Sequence, residues 1–175
     1  SSRIRFDVVI NMLCGLAHTT KKITLNSNGQ AWRPHLHIDD ACESFRCCLD
    51  WKPDTDNFVI LNVGHNEDNF KIIDIAKIIH SNIEGSELTY LVSSKDVEEN
   101  ELIKDRKIQD GVDTRTYKVS FDKIHKTLPG FKCQWTVEKG IIDLLDRFKS
   151  INLDSDVFNS REFYRLQQIE FLHQA

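Results

Sequence analysis

The sequence predicts an α/β fold of short strands with about five or six helices, and three observations carry that reading. Apolar residues recur at helical spacing in several separate stretches. Phe58 to Val63 is a nearly continuous apolar run that ends at Gly64, the mark of a strand buried on both faces as in a parallel sheet. Short extended segments bounded by turn residues alternate with the helical ones. At 175 residues the chain is one domain by length, large enough to bury ~70% of its unfolded surface.

In chain order, Ile4 to Ala17 carries Ile4, Val8, Val9, Met12, Leu13, Leu16 and Ala17 as a helical stripe, which Gly15 weakens without forbidding. Lys22 to Leu25 is a short strand, Asn28-Gly29 a turn, and Leu36 to Ile38 extended. Asp40-x-x-Glu43 reads as a capping box that opens a helix with Ala41, Phe45, Cys48 and Leu49 at helical spacing, closed by Pro53 and Asp54. After Gly64, Asp68 or Asn69 caps a helix whose inner side is Ile72, Ile73, Ala76, Ile79 and Ile83. Glu87 to Val92 is a further strand. Ser93 to Asp110 breaks the pattern, because ten of its 18 residues are charged. It reads as a loop or a weakly anchored helix, and two roles stay open: a mobile lid, with Lys104, Arg106 and Lys107 able to reach an anionic substrate, or a solvated surface loop. Tyr117, Val119 and Phe121 alternate with polar residues as in a half-buried strand. A short helix to about Leu128 stops at Pro129-Gly130. Thr136 caps the clearest helix, with Val137, Ile141, Leu144, Leu145 and Phe148 on one face. A last helix is expected over about Ser160 to His173.

The net charge of −4 argues against a general nucleic-acid binder, so an anionic ligand must be held by local Arg groups. No 18-residue apolar run and no signal peptide occur, so no membrane partner is expected and the cytoplasm is the expected compartment. The five cysteines, Cys14, Cys42, Cys47, Cys48 and Cys133, form no C-x-x-C pair; free, mostly buried thiols are expected. His35 and His37 lie on one side of an extended stretch, but a tetrahedral zinc site needs three or four ligands, and no metal site is expected.

The segment Gly29-Gln30-Ala31-Trp32-Arg33-Pro34-His35-Leu36-His37-Ile38-Asp39-Asp40 is the most informative. An Arg fixed at a strand edge suits a bidentate grip on phosphate oxygens, because its planar fork matches their geometry. The segment resembles the G-x-G-x-x-x-R-D-[FYW]-[IVL]-H-V-x-D stretch of the NAD-dependent epimerase/dehydratase family, the extended short-chain dehydrogenases. Arg33, His37 and Asp40 fall on its Arg, His and Asp, and Pro34 departs from the usual Asp. Asp113-Thr114-Arg115 together with Ser120-Phe121-Asp122-Lys123-Ile124 resembles the family's G-D-x-R-x-x-x-x-D-x-x-K-[AI] stretch. Asp110 stands where another family Arg usually lies. Asn11 to Gly15 resembles N-x-x-x-G, and Asn62-Val63-Gly64 resembles N-[IVL]-G at a strand end.

The resemblance runs from about Arg5 to Phe148. It implies the C-terminal, substrate-binding portion of an extended Rossmann-type dehydrogenase. Residues 1–150 would be that portion, with some strands belonging to the Rossmann sheet, and residues 151–175 a helical tail. It implies Arg33, Arg115, Asn11, Asp113 and Asn62 as substrate-binding residues, His37 as a packing or hydrogen-bonding residue, and a nucleotide-sugar as ligand. NAD or NADP would serve the full-length protein, with a homodimer as its assembly. No G-x-G-x-x-G or G-x-x-G-x-x-G turn occurs. Four residues beyond Tyr90, Tyr117 and Tyr164 stand Ser94, Phe121 and Gln168, so no Tyr-x-x-x-Lys pair occurs either. The expectation is therefore an enzyme part with its N-terminal NAD-binding half absent, no catalytic residue of its own, and neither NAD binding nor activity alone. The rival readings are a non-catalytic binding or regulatory module of the same fold, and a structural subunit docked on a separate Rossmann chain.

Overall fold

The computed structural model describes residues 4–25, 27, 29–52, 58–90 and 115–174. The α/β expectation holds. Among the described residues the order is α1 (Val9–Thr20), β1 (Lys22–Leu25), β2 (Trp32–Pro34), α2 (Ile38–Asp50), β3 (Asn69–Lys71), α3 (Ile72–Ser81), β4 (Glu87–Tyr90), α4 (Asp122–Thr127), α5 (Val137–Ser150), α6 (Ser155–Asn159) and α7 (Arg165–Gln174). β1 and β4 pair in parallel, Ile23 opposite Leu88, and β2 and β3 pair antiparallel, Arg33 opposite Phe70. The Ser93–Asp110 segment and its lid role lie outside the described residues.

Two apolar cores organise these elements. The larger joins Leu13, Cys14 and Ala17 of α1, Ile23 and Leu25 of β1, Ile73, Ile75, Ala76 and Ile79 of α3, and Val137, Ile141, Leu145 and Phe148 of α5. The smaller joins Phe121, Ile124, Leu128 and Phe131, with Cys47 of α2, Trp51 just after that helix, and Leu61 and Val63 packed against it. Phe6, which helical periodicity does not pick out because it precedes α1, is buried at the centre of the larger core. Its ring meets Phe158 edge-on at 4.7 Å and Phe163 at 5.5 Å.

Several local expectations are corrected. α1 begins at Val9, not Ile4; Arg5 and Asp7 form a paired hydrogen bond in the lead, and Asn11 Nδ2 donates to the Arg5 carbonyl at 2.9 Å. α2 is capped by His37, whose Nδ1 accepts from the Asp39 amide at 3.2 Å, and not by an Asp40–Glu43 box. Asp40 is turned inward and only 2% exposed. α3 starts after Lys71 with no side-chain cap, because Asp68 closes a 3₁₀ turn and Asn69 enters β3.

The Phe58–Val63 run forms no ladder among the described residues, and its outer side is exposed rather than buried. Residues 115–120 also form no ladder. The amides of Val119 and Phe121 donate to the side chains of Asn69 and Asn66, which take the place of a partner strand. The expected last helix is divided into α6, a 3₁₀ turn at Arg161–Phe163, and α7, which buries none of its residues. The tail is instead held by Phe158 and Tyr164. Of the thiols only Cys14 is buried, Cys42 and Cys48 being exposed on the outer part of α2; burial pushes the Cys14 thiol up to about 12. No described helix is long and apolar enough to cross a membrane.

Gly15 is explained by packing. A Cβ there would lie 2.2 Å from the Phe158 ring, so the tail seats itself on α1 only over a glycine. Gly15→Ala raises helix propensity yet is expected to lower stability by about 1–3 kcal/mol through overpacking, measured by urea denaturation. A stabilised G15A chain would show that Phe158 does not dock there.

Candidate functional site

The site is built on β2. Its antiparallel register sets Trp32 opposite Lys71, and the Lys71 ammonium lies 5.6 Å from the Trp32 ring centroid. The segment 115–118 crosses the same strand. Trp32 N donates to Thr116 Oγ1 at 3.1 Å, and Tyr117 N to Trp32 O at 3.3 Å. This brings the Lys118 ammonium to 3.7 Å from the Trp32 centroid. The Arg33 guanidinium lies 4.9 Å from the Tyr117 ring centroid and donates to the carbonyls of Trp32 and Arg115. Cations over aromatic faces keep their charge while their long stems are held in place.

The result is a group of four cationic residues, Arg33, Lys71, Arg115 and Lys118, with two aromatic ones. Residues 29–34, 69–71 and 115–118 contain no Asp or Glu, although the chain as a whole carries −4. This is a local positive field in an acidic protein, an arrangement suited to an anion carrying an aromatic or sugar ring. Next to it His35 is held neutral, its pKa lowered to about 4 by burial first and by the Arg33 charge second.

Of the expected site residues, the structure brings Arg33 and Arg115 together. Asn62 reaches the same crossing segment, its amide donating to Ser120 O at 3.5 Å. Asn11 is on α1 with its amide on Arg5; among the described residues no hydrogen bond joins it to the Trp32 group. Asp113 lies outside the described residues. Trp32, Lys71 and Lys118 were missed by sequence reasoning, since Lys71 and Lys118 are distant in sequence from Trp32 and meet it only through strand register and the crossing.

Asp40 and His37, which match the family's Asp and His, support the site from behind. The Asp40 carboxylate accepts the backbone amides of Gln134 at 2.9 Å and Trp135 at 3.1 Å, just before α5. The His37 ring stacks on Trp135 at 3.8 Å. The Asp68 carboxyl is pushed up chiefly by burial, and its carbonyl receives the His35 amide at 3.0 Å. Among the described residues no group of three or more His, Cys, Asp or Glu could hold a metal ion.

No protein-family model matches the chain, and no curated protein matches it. Solved structures do. An NAD-dependent NDP-hexosamine 5,6-dehydratase, TunA, involved in tunicamycin biosynthesis, is matched with a TM-score of 0.63 at 14% identity, over 83% of this chain and 41% of that one. The UDP-glucuronic acid 4-epimerase from Bacillus cereus, in complex with UDP-glucuronic acid and NAD, is matched with 0.61 at 18% identity, over 84% and 41%. A monomeric L-threonine 3-dehydrogenase from a metagenome is matched with 0.61 at 16%, over 83% and 42%. At these identities the likeness is one of fold. The chain has the fold of part of the NAD-dependent epimerases and dehydratases, and it spans 41% of the length of the first two.

Two measurements test the supporting groups. Asp40→Ala strands two amides behind the site and should cost on the order of 1–3 kcal/mol for each buried donor left unpaired; wild-type stability in urea would remove Asp40 from this role. His35 titrates near 6.5 when unfolded and near 4 when folded. Between these values the unfolded chain binds the extra proton, so His35 lowers stability as pH falls from 6.5 towards 4. Urea melts should show the stability difference between His35→Gln and wild type shifting in favour of the variant as pH falls through that window. A difference independent of pH would contradict the assignment.

Proposed function

We propose that residues 1–150 form the nucleotide-sugar-binding part of an NAD(P)-dependent sugar-nucleotide epimerase or dehydratase, with residues 151–175 as its helical tail. The observation that carries this reading is the Arg33 guanidinium, lodged between the carbonyls of Trp32 and Arg115 and the ring of Tyr117, inside an acid-free cluster of Lys71, Arg115 and Lys118. A diphosphate is suited by this arrangement: a fixed planar donor with ammonium groups beside it. Trp32 and Tyr117 offer faces for the rings at either end. Asn62, whose amide donates to the crossing segment at Ser120 O, would contact the ligand's polar groups, as would Asn11 from α1 and Asp113.

The chain's own part in the reaction is to bind and orient. Holding a sugar by its remote diphosphate supplies binding energy that can be used at the reacting carbon. The nicotinamide cofactor would supply oxidation and reduction of the sugar. The described residues do not fit it: the glycines at positive φ, Gly29, Gly64 and Gly85, lie in separate turns and form no phosphate cradle. The cofactor is therefore assigned to other residues, and the assembly of the whole protein as a homodimer is part of the same proposal.

Calorimetric titration with UDP-glucuronic acid tests the reading. Loss of a charge-assisted phosphate contact in Arg33→Ala should cost about 1.5–3 kcal/mol of binding, and Arg33→Lys should recover only part because the fork is lost. Equal affinities in wild type and R33A, or no binding by wild type, would overturn it.

A further inference from the structure

Residues 151–175 are the part of the chain that the binding reading does not use. α7 buries none of its residues, so the tail does not hold its place by covering the core with that helix. What the tail buries are rings, and they meet at one residue. Phe158, Phe163 and Tyr164 stand 4.7, 5.5 and 6.2 Å from the Phe6 ring. The Phe6 amide donates to the Phe163 carbonyl at 3.1 Å. Phe6 precedes α1, so its backbone is fixed by this bond and by the rings around it rather than by a helical ladder.

The lead passes that constraint to Asn11. Arg5 and Asp7, on either side of Phe6, lock to each other through two hydrogen bonds of 2.9 Å. The Arg5 carbonyl then accepts from Asn11 Nδ2 at 2.9 Å. A primary amide has two N–H donors and one acceptor oxygen, and turning it over exchanges them. The Arg5 carbonyl fixes the choice, because it takes one N–H and keeps the nitrogen on its own side. Among the described residues the second N–H of Asn11 meets no acceptor. Asn11 stands in the first turn of α1, which has no acidic residue and no side-chain cap. The helix dipole favours negative charge there. A donor kept in that place serves an anion, whereas a turned-over amide would present its oxygen and repel one.

We propose that the tail is a positioning element for the ligand: through Phe158, Phe163 and Tyr164 it fixes Phe6 and the Arg5 carbonyl, which keeps the Asn11 amide turned to donate to an oxygen of the diphosphate. This rests on the binding reading above, in which Asn11 contacts the nucleotide-sugar.

Phe158 and Tyr164 are buried, so the tail is loosened instead at Phe163, whose ring is only partly buried. Phe163→Ala is made alone and together with Asn11→Ala, and affinity for UDP-glucuronic acid is measured by calorimetry; Phe163→Leu takes its place if the alanine variant does not fold. Asn11→Ala should weaken binding at least roughly tenfold, as loss of a hydrogen bond to a charged group does. Phe163→Ala should weaken it about twofold or more in the wild-type background and leave it unchanged in the Asn11→Ala background, because residues that act through one group do not add. A tail that only stabilises the fold would weaken binding equally in both backgrounds. That result overturns the proposal, as does unchanged affinity in either single variant. Binding that Arg33→Ala weakens and Asn11→Ala does not rejects the positioning role and leaves the ligand. If the wild type does not bind, the ligand is rejected, and the Asn11 side-chain amide signals in NMR spectra without ligand decide the positioning. Two well-separated N–H signals in the wild type that move together in Phe163→Ala support it, and identical signals in both chains overturn it.

Discussion

The Asp40 carboxylate, buried and holding the amides of Gln134 and Trp135, is the contact on which the rest of the arrangement depends. It lies on α2, which packs on the smaller core, and it grips the chain at the start of α5, which belongs to the larger one. A buried carboxylate is tolerated because backbone donors satisfy it. Around it the His37 ring stacks on Trp135 and caps α2, so one residue serves both ends of the joint. β2 leads directly into α2. Where Asp40 is held, Trp32 and Arg33 are held a few residues earlier.

The crossing segment 115–121 is secured by a different device. It has no partner strand, and its amides are met by the side chains of Asn66 and Asn69 and by the carbonyl of Trp32. Such a connection gives the segment a fixed path without making it part of a sheet. The path delivers the Arg115 carbonyl, the Tyr117 ring and the Lys118 ammonium to the two residues of β2 that the cluster needs. Gly64 shows how close the fit is: its φ is +153°, and a Cβ would meet the Phe121 ring at 2.7 Å.

Much of this was legible in the residues. α5, with Thr136 as cap and its Val137–Phe148 stripe, follows from periodicity and one hydroxyl, and the structure shows that hydroxyl accepting from Lys139 N. β1 and α3 follow from patterning in the same way. What failed did so where tertiary contacts outweigh local signals. Asp40 has the spacing of a capping box, but burial of its carboxylate against the α5 entry competes with the cap, and His37 takes the cap instead. Phe58 to Val63 has the composition of a central strand, yet its ladder and its cover are not supplied by the described residues. Phe6 lies outside any period and is known only from the ring cluster it centres. In the site, Arg33 was visible from its motif, while Lys71 and Lys118 were not, because only register and the crossing bring them to Trp32.

The most direct test is a two-dimensional NMR titration with UDP-glucuronic acid that observes the Trp32 indole Nε1–H and the Arg33 Nε–H. A diphosphate seated in the cluster predicts saturable shifts of both signals, together with the backbone amides of Lys71 and of residues 116–118. Saturable shifts elsewhere with these signals unmoved, or no shifts at all, would contradict the account.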